Sequence, residues 1–201
     1  MRDRAAKKIG LAIVGAGRVG LFRGEVAMRH PEVAWIGIAE KNPERAKLVG
    51  DKIKADFITS DYRELLNRPE VNAVIISTDE HLHVDPILHA VERGQSLLIE
   101  KPLATDLADS ARVLQAIEQA GVDAVIGYTQ RFRRRWLAAK EKVQTGSLGD
   151  VTLVTSRAFM NRLVAIDNYR RTDHPHKISP MVISGTHALR SEEHTSELQS
   201  H

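Results

Sequence analysis

The chain has 201 residues, 42% hydrophobic and 27% charged, which is enough for one full domain and part of another. Its 29 Lys and Arg against 26 Asp and Glu leave a net charge of +3, too mild to suggest a nucleic-acid partner. No apolar run approaches the roughly 20 residues that span a bilayer, and the absence of cysteine excludes disulfides, thiolate metal sites and a thiol nucleophile. The basic N-terminus, Met1 to Lys8, leads straight into an apolar strand and not into a signal-peptide core, so the expected compartment is the cytoplasm.

The apolar run Ile9–Val14 reads as a buried strand, and it ends in Gly15-Ala16-Gly17-Arg18-Val19-Gly20, a G-x-G-x-x-G pattern followed by a helix-compatible segment with Phe22, Val26 and Met28. Gly15 allows the sharp strand-to-helix turn, Gly17 lets a pyrophosphate approach the backbone, and Gly20 lets the helix pack closely. The helix start offers unpaired N–H groups and the positive end of its dipole to the phosphates. Gly15, Gly17, Arg18, Val19 and Gly20 are therefore the expected cofactor-binding residues of this loop. A second strand, Val33–Ala39, ends at Glu40, twenty residues after Gly20, where a carboxylate can accept hydrogen bonds from ribose hydroxyls. A carboxylate there repels a 2′-phosphate, so NAD is the expected cofactor, with NADP possible because Lys41 offsets part of the repulsion. The competing reading is a structural glycine turn beside a solvated Glu.

The first 126 residues go on alternating strand and helix patterns, which predicts an α/β fold: a Rossmann-type parallel sheet with helices on both faces. Asn42 as N-cap with Pro43 at the first helical position opens the second helix. Residues 56–59 form a short third strand, and Asp61 with Glu64 offers a capping box for the next helix. Residues 72–77 make a fourth strand, apolar on both faces. A helix with Val84, Ile87, Leu88 and Val91 on one side ends at Gly94, and the fifth strand, Ser96–Ile99, runs into Glu100-Lys101-Pro102-Leu103. Asp106 caps a helix with Leu107, Ala111, Leu114 and Ile117 on its apolar face, closed by Gly121. Residues 122–126 form a sixth strand, and a charged helix spans about residues 132–143. The basic cluster at 131–136 does not continue along a face, so no nucleic-acid partner is expected.

From Val151 the pattern changes. Residues 151–160 alternate as a long strand with no crossover helix, and residues 161–180 are polar with two prolines. This predicts an incomplete α+β domain built on a more open sheet. The last twelve residues, from Arg190, have no apolar face and look like the translation of a sequencing adapter. The expected division is residues 1–127 as a dinucleotide-binding domain, 128–189 as the start of a truncated second domain, and 190–201 as a non-native tail. A fragment with missing strands is expected to be inactive and poorly soluble.

Several motifs occur in a fixed order: Gly15-x-Gly17-x-x-Gly20, Glu40, the turn from Thr78 to His83, Glu100-Lys101-Pro102-Leu103, Gly127-Tyr128-x-x-Arg131-Phe132 and Gly146-x-Leu148-Gly149-x-Val151. On these the chain resembles the glucose–fructose oxidoreductase, inositol dehydrogenase and rhizopine-catabolism (Gfo/Idh/MocA) family over about residues 8–189. The resemblance implies an NAD(P)-dependent oxidoreductase acting on a sugar, inositol or related polyol, a homo-oligomer at full length, whose second domain, begun here at 128–189, is a substrate and oligomerisation domain with a mostly antiparallel open sheet. It places Lys101 near the nicotinamide and the substrate hydroxyl as a catalytic residue, and Glu100 where it helps hold the cofactor, with a Lys101–Pro102 bond that is often cis. The residues agree: Lys101 follows a parallel strand, where open α/β sheets bind ligands, and burial beside a positively charged ring would lower its pKa.

The resemblance also makes Thr78 a hydrogen-bond partner of the cofactor and sets His83 on the nicotinamide side. Packing at the helix start is the alternative for His83. His81 and His83 alone do not make a metal site, and no metal is expected. His187, in Ser184-Gly185-Thr186-His187-Ala188, resembles the family's active-site histidine, but Ile183 stands where relatives often carry an aspartate. Asp79 and Glu80 depart from the common Pro-Asn. A non-catalytic dinucleotide-binding regulator with the same fold is the second reading.

Overall fold

The computed structural model describes residues 8–153, together with Thr155, Ile166 and Arg170. Their contacts divide the chain into two units at Gly127 and Tyr128. The first unit is a six-stranded sheet built from β1 (Ile9–Val14), β2 (Val33–Ala39), β3 (Phe57–Thr59), β4 (Ala73–Ile76), β5 (Ser96–Ile99) and β6 (Ala124–Ile126). Between the strands run α1 (Arg18–Ala27), α2 (Pro43–Ile53), α3 (Tyr62–Leu66), α4 (Val84–Glu92) and α5 (Leu107–Ala120). Strand order is β3-β2-β1-β4-β5-β6, with every pairing parallel. This is the Rossmann order, and the strand sequence reverses direction between β1 and β4.

The two-residue side-chain period of the strands builds a core on each face. Leu11, Ile13, Ile36, Ile38 and Ile75 pack with Val49 and Ile53 of α2. Ala12, Val14, Val74, Ile76, Leu97 and Ile99 pack with Leu65, Ile87 and Val113 of α3, α4 and α5. The expected α/β class with helices on both faces is what forms.

Helix α1 packs closely through Gly20, as expected, and turns two of its apolar residues outward. Phe22 and Val26 are 58% and 55% exposed, and the buried residues of the helix are Gly20 and Gly24. A Cβ on Gly24 would lie 3.0 Å from the Ile53 side chain of α2 and 3.2 Å from that of Ile13 of β1, so the helix approaches both through its glycines. The face of α5 is also rotated from the expected one: Leu107 and Leu114 are 86% and 51% exposed, whereas Val113 is fully buried and Ala116 and Ile117 pack beside it.

The caps follow the sequence more closely. Asn42 accepts from the Arg45 N–H, Asp106 accepts from Ala108 and Asp109, and Gly121 closes α5 at φ +64°. The capping box at Asp61 forms only in half. Asp61 accepts from the Arg63 N–H, but its own N–H donates to the Thr59 hydroxyl, which in turn donates to Glu64.

In the second unit, α6 (Arg134–Gln144) buries none of its residues, and Trp136 Nε1 donates to Gln130 at 3.1 Å. Val151–Leu153 carries no strand. The rest of the expected strand apart from Thr155, the residues up to 189 apart from Ile166 and Arg170, His187 among them, and the tail at 190–201 lie outside the described residues. So does the expected antiparallel sheet.

Candidate functional site

The crevice lies at the carboxyl ends of β1 and β4, where the sheet order reverses. Its floor is made by close backbone contacts. Ser77 N–H donates to the Val14 carbonyl at 2.8 Å, and the Ser77 hydroxyl donates to the Gly15 carbonyl at 2.7 Å. Gly15 has φ +90°, and a Cβ there would sit 2.6 Å from the Thr78 nitrogen. A Cβ on Gly20 would lie 2.1 Å from the Gly15 carbonyl oxygen. Gly17 is different in kind: a Cβ on it would meet nothing within 4 Å, so its bareness serves the space above the loop and not the protein's own packing. Gly17 is the N-cap of α1, with no side-chain cap and no acid in the first turn. The N–H groups at Arg18, Val19 and Gly20 precede the first possible intrahelical bond, leaving a positive end for an anion.

Glu40 ties this loop to the start of α2. One carboxylate oxygen accepts from the Ala16 N–H at 3.0 Å and the other from the Asn42 N–H at 3.0 Å. Each oxygen keeps a lone pair for a ribose hydroxyl. The cleft above measures about 540 Å³, within the ~300–1,000 Å³ usual for small-molecule sites. Gly15, Gly17, Glu40, Lys41, Ser77 and Thr78 line one part, and Arg45, Tyr62 and Arg63 another. Thr78 Oγ1 is buried with no partner among the described residues. A bare loop, a helix start, a carboxylate and an unspent hydroxyl suit the phosphates and ribose of a dinucleotide. Among the described residues no group of three or more His, Asp or Glu could hold a metal ion, and no helix is long and apolar enough to cross a membrane.

Lys101 leaves the sheet next door. β4 and β5 pair with Ile76 opposite Ile99, and Glu100 N–H donates to the Ile76 carbonyl at 2.9 Å, so the Thr78 and Lys101 segments depart from adjacent strand ends. The Lys101–Pro102 bond is cis. Burial pushes the Lys101 amine below the usual lysine value, and the carboxylates of Glu80 and Glu100 pull it partly back. The lining of the cleft includes Thr78 but neither Glu100 nor Lys101.

Glu100 is engaged elsewhere. Arg23 of α1 donates to its Oε1 from Nε at 3.0 Å and from Nη2 at 2.6 Å. A Cβ on Gly127 would lie 2.9 Å from the same carboxylate, so the glycine leaves room for it. His83 is only 1% exposed and does not reach the cleft. Its ring is wedged between two carbonyls, with Nδ1 2.8 Å from Pro102 O and Nε2 3.2 Å from Thr78 O. Burial holds its pKa below the ordinary histidine value, against the upward pull of those carbonyls and of Glu80 and Glu100.

The structure thus brings together Gly15, Gly17, Glu40 and Thr78 around one cleft, with Glu100 and Lys101 beside it and His83 behind them. Sequence reasoning passed over Arg23, Ser77 and Gly24. The one available signal was spacing, since Gly20 and Gly24 lie one helical turn apart on the same face.

The family GFO_IDH_MocA, described as an oxidoreductase family with an NAD-binding Rossmann fold, matches residues 9–128. The chain belongs to that family. Among curated relatives, it is 31% identical over 153 residues to the uncharacterized oxidoreductase YrbE of Bacillus subtilis, covering 75% of this chain and 45% of that protein. It is 28% identical over 139 residues to the scyllo-inositol 2-dehydrogenase (NAD(+)) of the same organism, covering 69% and 41%. Among solved structures, scyllo-inositol dehydrogenase from Lactobacillus casei with bound NAD(H) and scyllo-inositol superposes with a TM-score of 0.68 at 24% identity, over 73% of this chain and 44% of that one. That likeness shows the shared fold. The chain spans less than half the length of these family members.

Proposed function

We propose that the protein carrying this chain moves a hydride between a pyridine dinucleotide and a hydroxyl-bearing carbon of a sugar, inositol or related polyol. The observation that carries the reading is the half-buried Lys101 that leaves the end of β5, next to the strand end that leads to Thr78 in the wall of a cleft suited to a dinucleotide. Family membership and the names of the relatives support the substrate class.

In this reading Gly15, Gly17, Arg18, Val19 and Gly20 hold the pyrophosphate, Glu40 accepts from the adenosine ribose and favours NAD over NADP, and Thr78 offers its hydroxyl to the cofactor. The nicotinamide, when bound, supplies the hydride acceptor. Lys101, with its amine kept from full solvation, takes the hydroxyl proton of the substrate. Glu100 acts through its neighbours, and His187 is a second acid–base group on the resemblance alone. Residues 1–127 form the dinucleotide domain and residue 128 begins the substrate domain. A cytoplasmic protein without a nucleic-acid partner completes the reading, supported by the mild charge and the cysteine-free composition, and a homo-oligomer at full length follows from the resemblance alone.

Titration calorimetry of the chain with NAD and NADP tests the first half. Binding is expected for NAD, and Glu40→Gln should weaken it about tenfold, the loss of a charge-assisted hydrogen bond. No heat with either coenzyme overturns the reading. For the second half, Lys101→Ala in the intact enzyme should lower kcat by ~10²–10⁴ with a polyol substrate. An unchanged rate removes Lys101 from the chemistry.

A further inference from the structure

Lys101 stands between two residues that are each tied to a different element. Before it, the Glu100 carboxylate is gripped by Arg23 of α1. After it, the Pro102 carbonyl lies 2.8 Å from Nδ1 of His83, at the entry of α4. A carbonyl can only accept, and both neighbours of the His83 ring are carbonyls. A neutral imidazole carries one N–H, so it can satisfy one of them and must turn a lone pair toward the other. The ring is 1% exposed, which keeps solvent from settling the conflict.

We propose that His83 is a positioning residue for Lys101: a neutral imidazole with its proton on Nδ1 holds the Pro102 carbonyl and so fixes the turn that carries the amine. The contact distances say which nitrogen carries the proton, since 2.8 Å to the Pro102 carbonyl is the shorter contact and 3.2 Å to the Thr78 carbonyl the longer. The cost of burying an imidazolium favours the neutral form. The Thr78 carbonyl then faces Nε2 without a proton. The Thr78 hydroxyl is buried without a partner among the described residues, while Pro102 is anchored. The charged groups facing the ring are Glu80, from the turn before α4, and Glu100, at the end of β5. The same two carboxylates face the Lys101 amine, and Arg23 neutralises Glu100 from α1. The proposal rests on the reading of Lys101 as the acid–base group, but its test reads the ring and the amine directly and needs no coenzyme.

The test uses the full chain labelled with ¹⁵N-histidine. The ring-nitrogen shifts of His83 at neutral pH should show a protonated Nδ1 and a bare Nε2, the opposite of the tautomer that free histidine favours in water. A proton on Nε2 alone, or on both nitrogens, overturns the proposal. Two variants then separate positioning from simple packing. His83→Asn places an amide N–H near the position of Nδ1, whereas His83→Gln places one nearer Nε2.

The readout is the pH profile of Lys101 acetylation, followed by mass spectrometry against exposed Lys47 in the same chain. In the unsubstituted chain and in His83→Asn the Lys101 profile should lie below that of Lys47, and in His83→Gln most of that displacement should be lost. A His83→Gln chain that melts earlier but keeps the Lys101 profile shows a purely structural ring and overturns the proposal. Should His83→Gln not fold, the ring spectrum of the unsubstituted chain and the profile of His83→Asn decide the matter.

Discussion

The two halves of the site are built by different means. The glycine loop, from Gly15 to Gly20, is made of consecutive residues whose backbone does the work, braced by one carboxylate from the next strand, Glu40. The turn at Lys101 is made of side chains that arrive from far along the chain: Arg23 is 77 residues away from its partner Glu100, and His83 is 19 residues from Pro102. The loop is therefore a local motif that survives transplantation between sequences. The turn is an assembly that exists only once α1, α4 and β5 are packed.

The largest effect expected from breaking this contrast is in the loop. Gly20→Val drives a side chain into the Gly15 carbonyl and should cost about 3 kcal/mol or more in urea unfolding, since backbone cannot step aside. Its control is Gly17→Ala, whose Cβ meets open space. That change should leave stability within about 1 kcal/mol while weakening dinucleotide binding in calorimetry. Equal destabilisation by the two would mean that the loop is packed throughout and holds no cradle.

In the turn, Arg23→Ala strands the Glu100 carboxylate, which is 13% exposed in its side chain. A loss of about 1–3 kcal/mol is expected, less than for a fully buried pair because Arg23 retains 22% exposure. Arg23→Ala with Glu100→Gln should recover part of it, and a strictly additive double variant would deny the coupling.

The smallest effect concerns pH. The folded-state pKa of His83 lies below its ordinary value, so the unfolded chain takes up a proton first as pH falls below about 6.5. The stability His83 contributes is complete above that pH and is lost as pH falls through its folded value. Urea unfolding at about pH 7.5 and 5.5 should show a steeper loss in the unsubstituted chain than in His83→Asn, which lacks the ionisation.

The same contrast governs what could be read from the amino acids. The strand limits of β1, β2 and β5, the turn glycines and the caps at Asn42 and Asp106 follow from local chemistry, and they stand where the pattern puts them. So does Glu40 at the mouth of the cleft. Faces and partners were harder. Leu107, Leu114, Phe22 and Val26 have apolar side chains at helical spacing, yet they point outward. Periodicity gives a helix its stripe but not its rotation, which the neighbouring elements choose. In α1 the closest approach is made by Gly20 and Gly24, residues that carry no hydrophobic signal, with Leu21, Ala27 and Met28 packed on the same core. Glu64 was expected to reach back to Asp61, but the Thr59 hydroxyl lay between them. Arg23 was invisible, and His83, though named, could not be given its partners, for a further reason: those partners are fixed only by the register of β4 on β5 and the approach of α1.

The doubly committed carboxylate of Glu40 has a practical side. Because its oxygens already brace the peptides of Ala16 and Asn42, any exchange at residue 40 meant to redirect coenzyme choice also unfastens the loop from the second helix. Retargeting this protein toward a phosphorylated ribose therefore calls for a replacement that still presents two acceptors to those amides, and a lone arginine at that position would trade one kind of discrimination for a slack binding floor.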